Sequence, residues 1–453
     1  MTDISIFGLG KVGVTLAACL GATGHRVIGV DVNPEVVDTL NTRQFRTPEP
    51  GVNERFLALS RQQFCATTNP IEAVAASSVT FIVVPTPSNV LGGFSLRYVL
   101  RACDEVAQGI AAKTGPHTVA IVSTVLPGSS NRIIIPRIEQ MSGRALGSGL
   151  GYVYNPAFIA LGDVVRGFEA PDYVLIGEAD EASGSIVLDI FSAMIKARTP
   201  IARMSPIEAE ITKIASNTHE TMRVSFANML FSVCSEVPGA DVDRITDALA
   251  HRMGRRFFRG ALPYGGPCWP RDNRALAAFM DTVGVPSRMP RTVDLFNDEH
   301  GRYVLRKILE LAPAGTPVGI LGLAYKPGTP VIEQSFPLRL AEWLNEERHP
   351  VFGWDPLAAS EVRQSRSAVV LTDTAEECMQ RSNTLVIGNP LAELGGLDWS
   401  AAARSTVVDS WRCLPDHIAA TLPNYMPLGQ GPARPLTQWL DAALGHRLDL
   451  LVN

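Results

Sequence analysis

Ile4-Ser5-Ile6-Phe7-Gly8-Leu9-Gly10-Lys11-Val12-Gly13 is the stretch on which the fold turns. An apolar run gives way to three glycines spaced G-x-G-x-x-G, and a helical pattern follows through Val14, Leu16, Ala17, Ala18 and Leu20. Strand, tight turn and helix in that order point a helix N-terminus at a pyrophosphate. Taken alone, the glycines also fit an unrelated turn. A second strand, Arg26-Val27-Ile28-Gly29-Val30, ends at Asp31, at the ~20-residue distance where an acid meets a ribose 2'-hydroxyl. Alone, Asp31 reads as a helix N-cap before Pro34. Together the two signals predict a dinucleotide site made of Gly8, Gly10, Lys11, Val12, Gly13 and Asp31. An acid at that place repels a 2'-phosphate, which favours NAD over NADP.

Two further strands end in loops of the same crevice. Val79 to Val84 runs into Pro85-Thr86-Pro87, and Thr118 to Val122 runs into Ser123-Thr124-Val125. Ligands of open α/β sheets lie at the carboxyl ends of such strands. Pro85, Thr86, Ser123 and Thr124 are therefore cofactor candidates, with loop-capping hydroxyls as the plainer alternative. The last third repeats the pattern: Pro317 to Gly322 is a strand entering a glycine turn, Val351 to Pro356 ends on an acid, and Thr384 to Ile387 and Thr406 to Asp409 add two more strands. The expected fold is two Rossmann-like, doubly wound parallel-sheet α/β domains joined by a long central helix, with the active site in the cleft between them. The expected segments are residues 1–204 for NAD, 205–300 for a central helical region, 301–429 for a second nucleotide-binding module, and 430–453 for a tail helix after the turn-rich Gln430 to Pro435.

Composition sets outer limits. A chain of 453 residues exceeds one hydrophobic core, and 46% hydrophobic with 19% charged residues is ordinary for a globular protein. A net charge of -5 argues against a general nucleic-acid binder. There is no apolar run of membrane-spanning length, and Met1-Thr2-Asp3-Ile4 enters a strand at once, so a cytoplasmic protein is expected. The seven cysteines, at 19, 65, 103, 234, 268, 378 and 413, lack metal-ligand spacing and fit free thiols in a reducing compartment.

One of these cysteines stands apart. Leu262-Pro263-Tyr264-Gly265-Gly266-Pro267-Cys268-Trp269-Pro270-Arg271-Asp272-Asn273 holds Cys268 in a stiff loop with a cation three residues on. Most lone cysteines are buried packing residues. A thiol beside a nicotinamide, however, can add to an aldehyde, and the thiohemiacetal can lose a second hydride to give a thioester that water opens. Upstream, Glu208 to Asn217 lies in a helical pattern continuing toward Val237, which puts Lys213 and Asn217 on one face, a turn apart. Two such donors suit an oxyanion. A solvated helix face is the ordinary alternative, although lysine is scarce here, with only six residues.

Gly8 to Gly13, Val84 to Pro87, Ser123 to Val125, Asn155-Pro156, Glu208 to Asn217, the Cys268 loop, Leu321 to Pro327 and Asp355-Pro356 occur in the order seen in the UDP-glucose/GDP-mannose 6-dehydrogenase family, which the chain resembles to roughly residue 415. The resemblance implies NAD-dependent oxidation of a nucleotide sugar's C6 hydroxymethyl group to a carboxylate, with UDP-glucose the first candidate. It implies Cys268 as nucleophile, Lys213 and Asn217 as oxyanion donors, Asp272 as a partner that orients or deprotonates water, and Thr124 near that water. It also implies Arg271 beside the cofactor, Arg252 reaching across a homodimer formed through the central helix, and Phe158 against the sugar. Arg255, Arg256, Phe257, Phe258, Arg259, Tyr264 and Gly265 would wrap the nucleotide diphosphate, with Lys326 and Arg412 approaching from the last domain.

The chain also departs from that pattern. Ala157 stands where the family has a glutamate implicated in thioester hydrolysis, Pro267 replaces a serine, and Gly328 with Val331-Ile332-Glu333-Gln334-Ser335 lacks the usual acid and arginine. Two rival readings stay open: a single-hydride dehydrogenase of the 6-phosphogluconate or hydroxy-acid type, and a nucleotide-sugar binder without turnover.

Overall fold

The computed structural model describes residues 1–90, 92–196, 198–436, 438, 439 and 442. The chain divides into two compact units, Met1–Ser216 with Ala275–Val285, and Asn217–Arg274 with the segment from Pro286 onward. A 31-residue central helix, Pro206–Glu236, runs from the first into the second.

In the first unit the strands are β1 (Asp3–Phe7), β2 (Arg26–Val30), β3 (Phe64–Thr67), β4 (Val79–Ile82), β5 (His117–Ile121), β6 (Leu150–Tyr154), β7 (Val174–Glu178) and β8 (Ile201–Met204). They form one sheet in the order β3-β2-β1-β4-β5-β6-β7-β8. Every pair is parallel except β6 with β7, a reversal that the apolar runs alone do not announce. The central strands are buried throughout because helices cover both faces, and this is why they read as unbroken apolar runs. The polar exceptions form a chain across the strands. Ser5 Oγ and Thr80 Oγ1 lie 2.6 Å apart, Thr80 Oγ1 and His117 Nε2 2.7 Å, and Lys113 Nζ is 3.2 Å from His117 Nδ1. Buried polar groups persist when each finds a partner in this way.

The second unit adds β9 (Val318–Leu321), β10 (Val351–Trp354), β11 (Val370–Leu371), β12 (Thr384–Ile387), β13 (Thr406–Asp409) and β14 (Tyr425–Pro427), all parallel, in the order β11-β10-β9-β12-β13-β14. The first six strands of unit one have that same permutation, so two doubly wound α/β sheets are present, as the strand and turn pattern predicts. The helices Val242–Met253, Trp269–Thr282 and Arg288–Leu311 complete the middle of the chain. The predicted tail helix falls largely on residues 437, 440, 441 and 443–453, outside those described. Among the described residues no helix is long and apolar enough to cross a membrane.

Two buried histidines couple this fold to pH. Burial, with the Lys113 ammonium beside it, lowers the His117 pKa to about 3, and burial alone lowers that of His300 to about 4. His300 is held neutral, with Nε2 2.7 Å from the Ala261 carbonyl oxygen. As pH falls below the ordinary imidazole value the unfolded chain takes up protons at both positions and the folded chain does not. Each histidine then costs up to about 1.4 kcal/mol per pH unit. The thermal midpoint is expected to fall between pH 6.5 and pH 4.5, and to fall less steeply in His117→Gln and His300→Gln; scanning calorimetry at stepped pH measures both slopes.

Candidate active site

The loop after β1 is shaped by its glycines. Gly8 has φ +95°, and a Cβ there would run into the Val83 carbonyl oxygen, while one on Gly13 would run into the carbonyl of Gly8. Gly10 differs, because a Cβ placed on it meets nothing within 4 Å. Gly10 is the N-cap of the helix Lys11–Ala22, so the open space lies where that helix presents its unsatisfied N–H groups. Lys11 is exposed at the same end and Val12 is half-buried. Asp31 accepts from the Leu9 amide at 2.8 Å and from the Asn33 amide at 2.9 Å. A carboxylate offers about four lone-pair positions, so two remain for a ribose diol. These features fit a dinucleotide.

The next two loops are tied together. Ser123 Oγ accepts from the Val84 amide at 2.9 Å and donates to the Val84 carbonyl oxygen at 2.7 Å, which fixes the loop carrying exposed Pro85 and buried Thr86. Thr124 follows, half-buried. Lys213 is 7% exposed; its ammonium donates to the Ala157 carbonyl oxygen at 2.9 Å and lies 4.4 Å from the centre of the Phe158 ring, itself 4.6 Å from that of Tyr173. The backbone at position 157 thus holds the lysine although its side chain is only a methyl group.

Sequence reasoning passed over Glu210. Its carboxylate is fully buried and accepts from the Gly128 amide at 2.6 Å, the Ser130 amide at 2.8 Å and Ser130 Oγ at 2.6 Å. Burial raises its pKa, against the pull of those donors. One helical turn before Lys213, it anchors the segment that follows Thr124. An acid three residues ahead of a scarce lysine was the signal available.

In the second unit, Cys268 is exposed at the start of the helix Trp269–Thr282, where its carbonyl accepts the Asp272 amide at 2.8 Å. Asp272 is fully buried between two donors, Arg271 Nε at 2.9 Å and Asn217 Nδ2 at 2.6 Å. Burial works against the charge of Arg271, but the neighbouring Asp272 and then Cys268 hold its pKa above the usual guanidinium value. The structure therefore brings Asn217, Arg271 and Asp272 into one cluster. A Cβ on Gly265 would strike the Gln334 carbonyl, and one on Gly266, at φ +87°, would lie 2.5 Å from the Tyr325 ring.

The remaining predicted contacts divide into exposed and committed groups. Arg252 is exposed in the last turn of Val242–Met253, Arg256 lies 5.0 Å from the Phe257 ring centre, and Phe257 takes φ +54° with its ring 5.2 Å from that of Trp269. Phe258 and Tyr264 are buried, the latter donating its amide to Asn297 and accepting Asn273 Nδ2 at 3.1 Å. Arg259 donates to the Trp411 and Arg412 carbonyls. Arg412 is committed to protein: its side chain is 5% exposed, pairs twice with Asp243 at 2.7 and 3.0 Å, and donates to the carbonyls of Leu428 at 2.8 Å and Gly260 at 2.5 Å. Lys326, with Thr329, Asp355 and Glu393, lines a cavity of about 340 Å³ at the carboxyl ends of β9, β10 and β12.

Three models of the UDP-glucose/GDP-mannose dehydrogenase family match in order: the NAD binding domain over residues 2–195, the central domain over 207–299 and the UDP binding domain over 319–416. The chain belongs to this family. It is 30% identical over 419 residues to UDP-glucose 6-dehydrogenase AglM of Haloferax volcanii, covering 90% of this chain and 96% of that one. It is 33% identical over 410 residues to the GDP-mannose 6-dehydrogenase of Pseudomonas aeruginosa, covering 85% and 91%. Among solved structures, a UDP-glucose dehydrogenase from Pyrobaculum islandicum superimposes with a TM-score of 0.86 at 32% identity, over 95% of this chain and 98% of that one. NAD is the cofactor and a nucleotide sugar the substrate class of this family member, and its relatives support a 6-dehydrogenase activity.

The two inner glycines separate folding from cofactor binding. Gly13→Ala is expected to lower the thermal midpoint, since overpacking of this kind costs about 1–3 kcal/mol. Gly10→Ala is expected to leave the midpoint unchanged and to weaken NAD binding about tenfold or more, by filling the space a pyrophosphate needs. Calorimetric titration with NAD alongside thermal melts distinguishes the two.

Proposed function

We propose that this protein oxidises the C6 hydroxymethyl group of a nucleotide sugar, UDP-glucose first, to the carboxylate through a covalent intermediate on Cys268. The observation that carries this reading is an exposed thiol directly ahead of the N-terminus of the helix Trp269–Thr282, with Arg271 in that helix's first turn. NAD, when bound, supplies the hydride acceptor for each of the two oxidations.

The residues divide the remaining work. Lys213 and Asn217 each have a hydrogen-bond partner that fixes the side chain, the Ala157 carbonyl and Asp272 respectively, and on one helix face, a turn apart, they set an ammonium and an amide as donors to an oxygen that gains charge. After the first oxidation the C6 aldehyde accepts the Cys268 sulfur, forming the C–S bond of a thiohemiacetal whose oxygen faces those donors. Loss of a hydride and a proton turns it into a thioester. Water then adds, the C–S bond breaks, and the carboxylate and the free thiol are released. Arg255, Arg256 and Arg259, with Lys326, hold the nucleotide diphosphate, Arg252 reaches across the dimer to the neighbouring substrate, and Arg412 serves by bracing Gly260.

Hydrolysis is the step this chain alters. A methyl group at position 157 moves no proton, so orienting and deprotonating the water is left to Asp272, whose carboxylate is buried and already accepts two of its about four hydrogen bonds, with Thr124 near that water. General acid-base groups contribute ~10²–10⁴-fold, so the thioester accumulates. Incubating enzyme with UDP-glucose and NAD is expected to yield two NADH per sugar and, in intact-mass spectra, a sugar adduct that Cys268→Ala abolishes; Ala157→Glu is expected to shorten its lifetime. One NADH per sugar without an adduct would mean a single-hydride dehydrogenase, and tight binding without NADH a binder. A parallel assay with GDP-mannose assigns the base.

The same reading includes a homodimer through the central helix. Ile207, Ile211, Phe226, Met229 and Val233 are each 39–53% exposed on that helix, and at 3.6 residues per turn they fall within about 100° of arc. An exposed apolar stripe of this kind is the usual mark of an interface. Met229→Glu combined with Val233→Glu is expected to convert a dimer to a monomer in light scattering, with the single-chain fold retained by circular dichroism.

A further inference from the structure

We propose that Arg223, on the central helix, is the positioning residue of the arginine strip 252–259, holding it in the shape that grips the nucleotide diphosphate. The inference rests on the reading of that strip given above.

The helix Val242–Met253 ends inside the strip, one residue after Arg252, and the last carbonyls of any helix lack partners within it. Arg223 supplies them. Its Nη1 donates to the Met253 carbonyl at 2.8 Å, Nη2 to that of Gly254 at 2.5 Å, and Nε to that of Arg256 at 2.9 Å. One planar guanidinium therefore pins three of four consecutive residues, and its charge meets the negative end of the helix dipole. The group is braced from below, with Cζ 5.5 Å from the Phe258 ring centre and Phe258 stacked on Phe226 at 5.9 Å.

The strip needs such a clamp for two reasons. Four arginines, at 252, 255, 256 and 259, fall within eight residues, and the ion pairs of Arg255 with Asp247 and of Arg259 with Asp243 set two carboxylates against four like charges. Phe257 also holds φ +54°, a conformation that an aromatic residue keeps only when its surroundings impose it. Both costs are met by the folded protein before any ligand arrives, so the cations are already in place when a diphosphate binds.

The test is calorimetric titration of the full-length protein with UDP and, separately, NAD, together with steady-state kinetics on UDP-glucose. In Arg223→Met the Kd for UDP and the KM for UDP-glucose are expected to rise about tenfold. In Arg223→Lys, whose ammonium cannot span three carbonyls, the rise is expected to be about threefold. The Kd for NAD and kcat stay within error of the parent, while the thermal midpoint falls by only a few degrees for the lost hydrogen bonds. Unchanged UDP affinity in Arg223→Met would overturn the proposal, and so would parallel losses in UDP and NAD affinity, the mark of general loosening. Arg256→Ala and Arg252→Ala separate the two levels. If they weaken UDP binding and Arg223→Met does not, the positioning role fails and the diphosphate grip stands; if none of the three has an effect, the strip is not the grip.

Discussion

A carboxylate with no solvent exposure must be met on every side, and Asp272 is met by Arg271 and Asn217. Removing one partner of a buried charge costs about 3–5 kcal/mol, because the remaining charge is left without compensation. That penalty ties the helix beginning at Trp269 to the central helix at Asn217. The first of these helices starts directly after Cys268, so the bond that neutralises Asp272 also fixes the base on which the thiol stands. It also uses one N–H of the Asn217 amide, orienting the other for an outside acceptor. The clash a side chain at Gly265 or Gly266 would make with Gln334 or Tyr325 completes the confinement of this loop.

The two sheets share one strand permutation yet treat their acids differently. At the end of β2, Asp31 accepts two backbone amides. At the end of β10, Asp355 accepts four, from Leu323, Ala324, Leu357 and Ala358 at 2.7 to 3.0 Å, and is buried. A carboxylate has about four lone-pair positions, so Asp31 retains room for a ribose diol and Asp355 does not. The same topology thus supports a dinucleotide in the first unit, while in the second the cavity beside Lys326 is the open feature at the strand ends.

Much of this was legible because it depends on local pattern. The β1 glycines, the acid after β2, the unbroken apolar strands and the length of the central helix all follow from spacing and burial. What escaped was non-local. Glu210 looks like a surface acid until Gly128 and Ser130, some eighty positions earlier, are seen to donate to it. Arg223 is one arginine among many until three carbonyls converge on it. The antiparallel β6–β7 pair has no sequence signature, since a strand buried on both faces reads alike in either direction. The family resemblance implies Arg412 as a charge facing substrate, while its guanidinium is spent on Asp243 and on backbone carbonyls; nothing in the order Asp409-Ser410-Trp411-Arg412 distinguishes those two fates.

Position 157 serves the site through its backbone, not its side chain. Lys213 needs an oxygen acceptor to hold its ammonium near 7% exposure, and the Ala157 carbonyl supplies it whatever the side chain. The Phe158 ring adds a second, electrostatic contact with the same ammonium. Alanine here therefore leaves the lysine in place for the oxidations, whose demand is a fixed positive charge near a developing oxyanion. Hydrolysis makes a different demand, a group that accepts and returns a proton. Under the proposed mechanism, alanine at this position would therefore leave the oxidations their geometry and deprive the hydrolysis of a proton-transferring side chain.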